Sequence, residues 1–367
     1  MTRKKTALVL AGGGFPAYMY EIGCLAALDD VWEEGFSVND FDIFVGTSAG
    51  AAVAALVANG VKPRRIYDDI RADRQSVFNF RRTDIYSFGY QETMPMFRKF
   101  FKSLIPILKH YYSNRRKFSV LDLFYMLQEN LPSGIFSLKN LDGYLSRLFS
   151  TEGFTNDFRR LRKELYIPAV DIDTGQFDVF GEGELADVPI STAITASSAM
   201  PIAFQPVRIH GKDYVDGSVG RAAYVDIAIK HGADLCVIVN PIRPVFNDRN
   251  QVCISSYSGE CTGIKDKGMS FIFDQALRAN TQARINLSVK RYRAEYPEKN
   301  FFVIQPDPTG SVMFSSNVIS LVAKIDVLRY GYTSTIKTVR ENALRYRQCF
   351  EEAGIKVSTD RLNQATV

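Results

Sequence analysis

The stretch TALVLAGGG (Thr6 to Gly14), together with FDIFVGTSAG (Phe41 to Gly50), decides how this chain is read. Ala7 to Ala11 is continuously apolar and runs straight into three glycines, the pattern of a parallel strand buried on both faces and ended by a tight turn. A helical pattern follows at about Ala17 to Asp29. Phe41 to Val45 repeats the strand, GTSAG makes the turn, and the alanine-rich stretch Ala49 to Asn59 predicts a close-packed buried helix ending at Gly60. Two strand, glycine turn, helix units in succession predict an α/β domain with a parallel sheet.

Working outward, strands are expected at Leu165 to Asp171, Phe177 to Phe180, Leu235 to Asn240 and Phe302 to Gln305. Helices are expected at Ile190 to Ser198, about Asp266 to Glu295 and about Asn317 to Arg347. Residues 73–160 break the alternation; rich in Phe, Tyr, Lys and Arg, they read as a helical insertion over one end of the sheet. Residues 245–265 are polar and aperiodic, hence a rim loop.

A chain of 367 residues allows two domains or one large α/β domain with insertions. The division expected here is a catalytic region over 1–245, insertion included, with 246–367 completing or flanking it. Hydrophobic residues at 46% against 23% charged exclude a disordered chain. The 45 Lys and Arg exceed the 40 Asp and Glu too slightly to imply a nucleic-acid partner. Five cysteines without CxxC or Cys/His spacing argue against a disulfide framework or structural zinc, and Cys24 and Cys236 read as small core residues. The apolar run after the basic start is too short for a signal peptide or a membrane span, so a cytoplasmic protein is expected.

The chemistry-bearing signal is Gly46-Thr47-Ser48-Ala49-Gly50, a GxSxG between predicted strand and predicted helix. A nucleophile at such a corner needs small neighbours because the turn is sharp, and the helix N-terminus beyond favours developing anions. The alternative is an ordinary glycine turn with an N-cap serine. Three histidines are present, His110, His210 and His231. Only His231 fits the chain order of a Ser, Asp, His triad after Asp216, and its IKHGAD setting reads better as a helix end. The other candidate base is Asp216, in Tyr214-Val215-Asp216-Gly217-Ser218-Val219-Gly220, which alone is equally an Asx-turn. Gly12, Gly13 and Gly14 can turn backbone N–H groups toward one point, as an oxyanion hole or anion nest requires. They do not complete GxGxxG, because Ala17 stands where the third glycine belongs.

Together these pieces resemble the patatin-like phospholipase family, which combines a glycine-rich oxyanion motif after the first strand, GxSxG at the nucleophile elbow and a late DG(A/G) motif. The resemblance covers roughly residues 5–245 and includes Asp171-Ile172-Asp173-Thr174-Gly175 and the segment Ala196 to Phe204. It implies a three-layer α/β/α fold, Ser48 as nucleophile and Asp216 as its base in a Ser-Asp dyad. It implies an oxyanion hole from Gly13, Gly14 and Ala49, no metal or organic cofactor, and a phospholipid or lysophospholipid substrate. The sequence departs from the family where a basic residue usually follows the glycines, since Phe15-Pro16-Ala17 stands there, and where Ser218 replaces Ala or Gly. The rival readings are a soluble esterase or neutral-lipid lipase on the same site, and a non-catalytic lipid-binding or scaffold protein.

Residues 94–117 concentrate the positive charge. Phe97, Phe100, Phe101, Leu104, Ile105 and Leu108 recur at helical spacing with a kink expected at Pro106, amid Arg98, Lys99, Lys102, Lys109, Arg115, Arg116 and Lys117. Three readings stand side by side: peripheral contact with an anionic membrane, packing of the insertion on the core with a solvated basic rim, and a nucleic-acid patch. No protein partner is indicated.

Overall fold

The computed structural model describes residues 4–86, 90–114, 119–128, 131–221, 223–248, 254, 260–310, 312–315 and 323–364. Its strands are β1 (Thr6–Leu10), β2 (Ile43–Gly46), β3 (Gly134–Phe136), β4 (Glu164–Asp171), β5 (Phe177–Phe180), β6 (Ile202–Phe204), β7 (Val207–Ile209), β8 (Lys212–Val215), β9 (Leu235–Val239) and β10 (Asn300–Ile304). The main sheet has the order β10-β9-β1-β2-β4-β8-β7, with β5 also pairing β4. β10, β9, β1, β2 and β4 are parallel, whereas β5, β8 and β7 extend the sheet with antiparallel pairs. β3 and β6 form a separate parallel pair.

Because side chains alternate along a strand, β1 divides its residues between two cores. Leu8 and Leu10 face the helices Gly14–Val31 and Ala49–Ala58, together with Lys324–Glu341 and Ala343–Glu351. Ala7 and Val9 face the opposite layer, built from Val225–Lys230 and Met269–Glu295. The result is a mostly parallel sheet between two helical layers. The expected strands are all present, Phe177–Phe180 with the expected bounds and the others with ends within two residues of them.

The long C-terminal helix expected over Asn317 to Arg347 is two helices, divided at Asn342, whose side-chain amide bonds the Thr338 carbonyl. Its expected first residues, 317–322, lie outside the described residues. The helix Tyr90–Ser113 continues through Pro106. Cys24, Cys236 and Cys349 are free and buried. Cys261 is disulfide-bonded, which the irregular cysteine spacing did not announce; of the rim loop expected over 245–265, residues 249–253 and 255–259 lie outside the described residues.

The first helix and Lys324–Glu341 pack without intervening side chains at two points. A Cβ on Gly23 would strike the Leu328 carbonyl oxygen, and one on Gly331 the carbonyl of Tyr20. The Cys24 thiol donates to the Gly331 carbonyl at 3.5 Å, and the Ser334 hydroxyl donates to the Tyr20 hydroxyl at 3.3 Å. C-terminal residues thus close the core layer whose N-terminal end carries the glycine turn. Gly331→Ala is expected to lower unfolding stability by about 1 to 3 kcal/mol through overpacking against backbone. An unchanged urea midpoint would show that the two helices separate without strain.

Candidate active site

Gly46 ends β2 and Ala49 begins the next helix, so the chain must reverse within two residues. Ser48 takes the strained angles φ 54°, ψ −123°, a conformation non-glycine residues rarely adopt and the geometry of a nucleophile elbow. Space for this turn comes from its glycines: a Cβ on Gly50 would lie 2.7 Å from the Leu10 carbonyl oxygen, and one on Gly46 2.5 Å from that of Gly50. Ser48 sits at the N-cap position but makes no side-chain capping bond. Its Oγ donates instead to Asp216 Oδ2 at 2.6 Å.

Asp216 follows β8, which is held against β4 by the pairs Val170 with Val215 and Asp171 with Tyr214. Its backbone N–H donates to the Ala199 carbonyl at 3.0 Å. Its second carboxylate oxygen, Oδ1, accepts the Ser218 hydroxyl at 2.6 Å and the Ser218 N–H at 2.8 Å. Gly217 permits this tight turn to lie on β4, where a Cβ would collide with the Pro168 carbonyl. Burial pushes the Asp216 carboxyl above its ordinary range, and the bonds from Ser218 and Ser48 pull it part of the way back.

Gly13 at φ 145° and Gly14 at φ 69° bring the first turn beside the serine. Gly12 lies closest: a Cβ there would stand 2.8 Å from Cβ of Ser48 and 3.4 Å from Cβ of Ser218. Gly14 and Ala49 both line the pocket described next, so the glycine turn and the first helical residue meet at the serine. Pro16 occupies the first turn of the helix Gly14–Val31, where a missing N–H leaves no intrahelical bond unmade.

Ser48 and Asp216 line a pocket of about 70 Å³. Apolar side chains dominate its lining: Phe15 and Tyr18 from the first helix, Ile194, Met200 and Phe204 near the aspartate, and Phe80, Ile85, Leu138 and Leu141 from residues 73–160. The insertion therefore supplies part of the wall over the serine. No histidine lines this pocket. His231 caps the helix Val225–Lys230, stacks on Tyr166, and has its ring nitrogens 2.9 Å from the Tyr166 hydroxyl and 3.1 Å from Glu182. Among the described residues no group of three or more His, Cys, Asp and Glu side chains is arranged to hold a metal.

A family model described as patatin-like phospholipase matches residues 8–229. The chain belongs to that family. It is 24% identical over 230 residues to a protein described as "Probable lipid hydrolase 463L" of Invertebrate iridescent virus 6, the match covering 61% of this chain and 63% of that protein. The chain thus spans less than two thirds of that curated relative. Among solved structures it resembles VipD from Legionella pneumophila, at 18% identity and TM-score 0.43, over 93% of this chain and 67% of that one. It also resembles one chain of the structure of full-length SpcU in complex with full-length ExoU, from the type III secretion system of Pseudomonas aeruginosa, at 15% identity and TM-score 0.31, over 79% of this chain and 53% of that one.

One residue of this patatin-like site escaped the sequence reading in its role. The Ser197 hydroxyl accepts the Ser48 N–H at 3.0 Å and donates to the Pro168 carbonyl at 2.7 Å, all within the interior. It ties the elbow to β4. Its sequence signal was its place, beside Ser198, in the segment Ala196 to Phe204 that carries part of the family resemblance. Ser197→Ala is expected to leave the buried Ser48 N–H without a partner, lowering stability by about 1 to 3 kcal/mol, with a loss of turnover as the elbow shifts. Parental stability and turnover together would show that the elbow holds its angles unaided.

Proposed function

We propose that this patatin-like protein is a lipid acyl hydrolase acting on phospholipids or lysophospholipids through a Ser48–Asp216 dyad. The observation that carries the reading is the 2.6 Å bond from Ser48 Oγ to Asp216 Oδ2 in the lining of an apolar pocket. A buried carboxylate with raised pKa is a stronger base than an exposed one, as a dyad lacking histidine requires. Ser48 Oγ attacks the ester carbonyl carbon while its proton passes to Asp216. Backbone N–H groups of Gly13, Gly14 and Ala49 receive the oxyanion. Collapse expels the alcohol portion of the lipid, which takes the proton from Asp216 and leaves an acyl-enzyme. Water then attacks, giving its proton to Asp216, and Ser48 departs reprotonated with release of the fatty acid.

Ser48→Ala and Asp216→Asn are each expected to abolish nearly all turnover and labelling by a fluorophosphonate, the double variant being little worse than either. His231→Ala should retain most activity. Equal damage from His231→Ala in a folded protein would sink the dyad. A panel of phospholipid, triglyceride and short aryl ester separates phospholipase from neutral-lipid lipase and esterase.

Peripheral contact with anionic membrane through 94–117 is part of this proposal. On the helix Tyr90–Ser113, Phe100, Leu104 and Leu108 are half-buried, whereas Phe101, Ile105 and Tyr112 are exposed at 63%, 74% and 67%. Arg98, Lys102 and Lys109 are exposed too. An apolar, basic outward face suits a lipid interface better than a solvated rim. The Phe97 and Lys99 side chains and residues 115–117 lie outside the described residues. Among those described, no helix is long and apolar enough to cross a membrane. Changing Lys102 and Lys109 to Gln should weaken binding to anionic vesicles at low salt while a small soluble ester is turned over at the parental rate. Equal vesicle binding would defeat the membrane contact.

A further inference from the structure

The carboxylate of Asp216 is shared between two serines. Ser48 bonds Oδ2, and Ser218 bonds Oδ1 twice, through its hydroxyl at 2.6 Å and its N–H at 2.8 Å. In the DG(A/G) pattern the third residue has no hydroxyl, so the shorter of the two bonds to Oδ1 belongs to the serine of this chain. Ser218 is only half-buried, yet a Cβ on Gly12 would lie 3.4 Å from its Cβ as well as 2.8 Å from that of Ser48.

We infer that Ser218 is a positioning residue: by bonding Oδ1 it fixes the rotation of the carboxylate, aims Oδ2 at Ser48 and stabilises the charged form of the base. The inference rests on the proposed dyad. Its physical basis is that Asp216 has no cationic partner: among the described residues no Lys, Arg or His makes a hydrogen bond or ion pair with it. The nearby Arg221 is paired with Asp226, and the Tyr224 hydroxyl donates to the Gly217 carbonyl at 2.7 Å. Burial therefore disfavours the charge, and hydroxyl and amide donors are what oppose it.

The reaction needs ionised Asp216, so activity falls on the acid side as the carboxyl takes up a proton. Removing a bond that favours the charged form moves that loss to higher pH. For Ser218→Ala, kcat/KM on p-nitrophenyl butyrate, measured across pH, is expected to show an acid limb displaced upward. On that limb the rate should fall about tenfold further than at the alkaline plateau, the size expected for a charge-assisted hydrogen bond. Ser218→Thr, which keeps the hydroxyl, should restore the parental limb. A Ser218→Ala profile that superimposes on the parent, or one lowered equally at every pH, would overturn the inference. Failure of the dyad reading shows itself separately, as retained turnover in Ser48→Ala and Asp216→Asn under the same assay. Thermal unfolding of each variant distinguishes a lost fold from a changed profile.

Discussion

The structure turns on holding a carboxylate inside the protein without a counter-charge among the described residues. Taking an ionised Asp216 out of water is expensive, and its stability there depends on donors aimed at both oxygens. Ser48 supplies one, and Ser218 supplies two. Those donors are useful only if two remote segments meet within a few tenths of an ångström. The antiparallel addition of β8 to β4 brings Asp216 back toward the parallel part of the sheet, and the strained turn after β2 presents Ser48 to it. Pro168 in β4 is the shared support, since its carbonyl accepts Ser197 Oγ while the strand leaves room for Gly217 alone.

The glycines at the site follow from the same constraint. Each lies where a backbone segment crosses another: Gly12 between the two serines, Gly50 on Leu10, Gly217 on Pro168. A side chain at any of them would move a donor or an acceptor by more than a hydrogen bond tolerates. This explains why GGG, GxSxG and DGS recur as separate short motifs in the sequence yet form one object in space. The unusual φ of Ser48 is the strained position in that object, and it is stabilised by the Ser197 bond and by the helix that begins at Ala49.

What could be read from sequence was what has a local cause. β1 and β2 were legible because doubly buried parallel strands are continuously apolar, and their turns because glycine runs have few other uses. The serine and aspartate were legible as candidates, and their meeting rested on resemblance to a family. Other features have no local cause. The antiparallel β8 is four residues of mixed polarity, Lys212 to Val215, and its pairing with β4 and β7 makes it a strand. Ser197 looks like any serine at a helix end. Glu21 is fully buried, its carboxyl driven well above the ordinary range by that burial and without a hydrogen-bond partner among the described residues, although its neighbours give no sign of it. The break at Asn342 and the glycine contacts between distant helices belong to tertiary packing, which periodicity does not encode.

The insertion brings these levels together. Its composition alone left open whether its aromatic and aliphatic residues cover the core or face outward, and the structure does both with different residues. Phe80, Ile85, Leu138 and Leu141 turn inward and wall the pocket above Ser48, while Phe101, Ile105 and Tyr112 stand in solvent beside basic side chains. An apolar wall excludes water from the carboxylate, which raises its basicity, and the same exclusion strengthens every hydrogen bond made to it. A Ser-Asp pair without histidine depends on that exclusion more than a triad does, because a carboxylate in water is too weak a base to take a hydroxyl proton. The segment that interrupts the α/β alternation thereby supplies part of the dry setting that the proposed dyad needs.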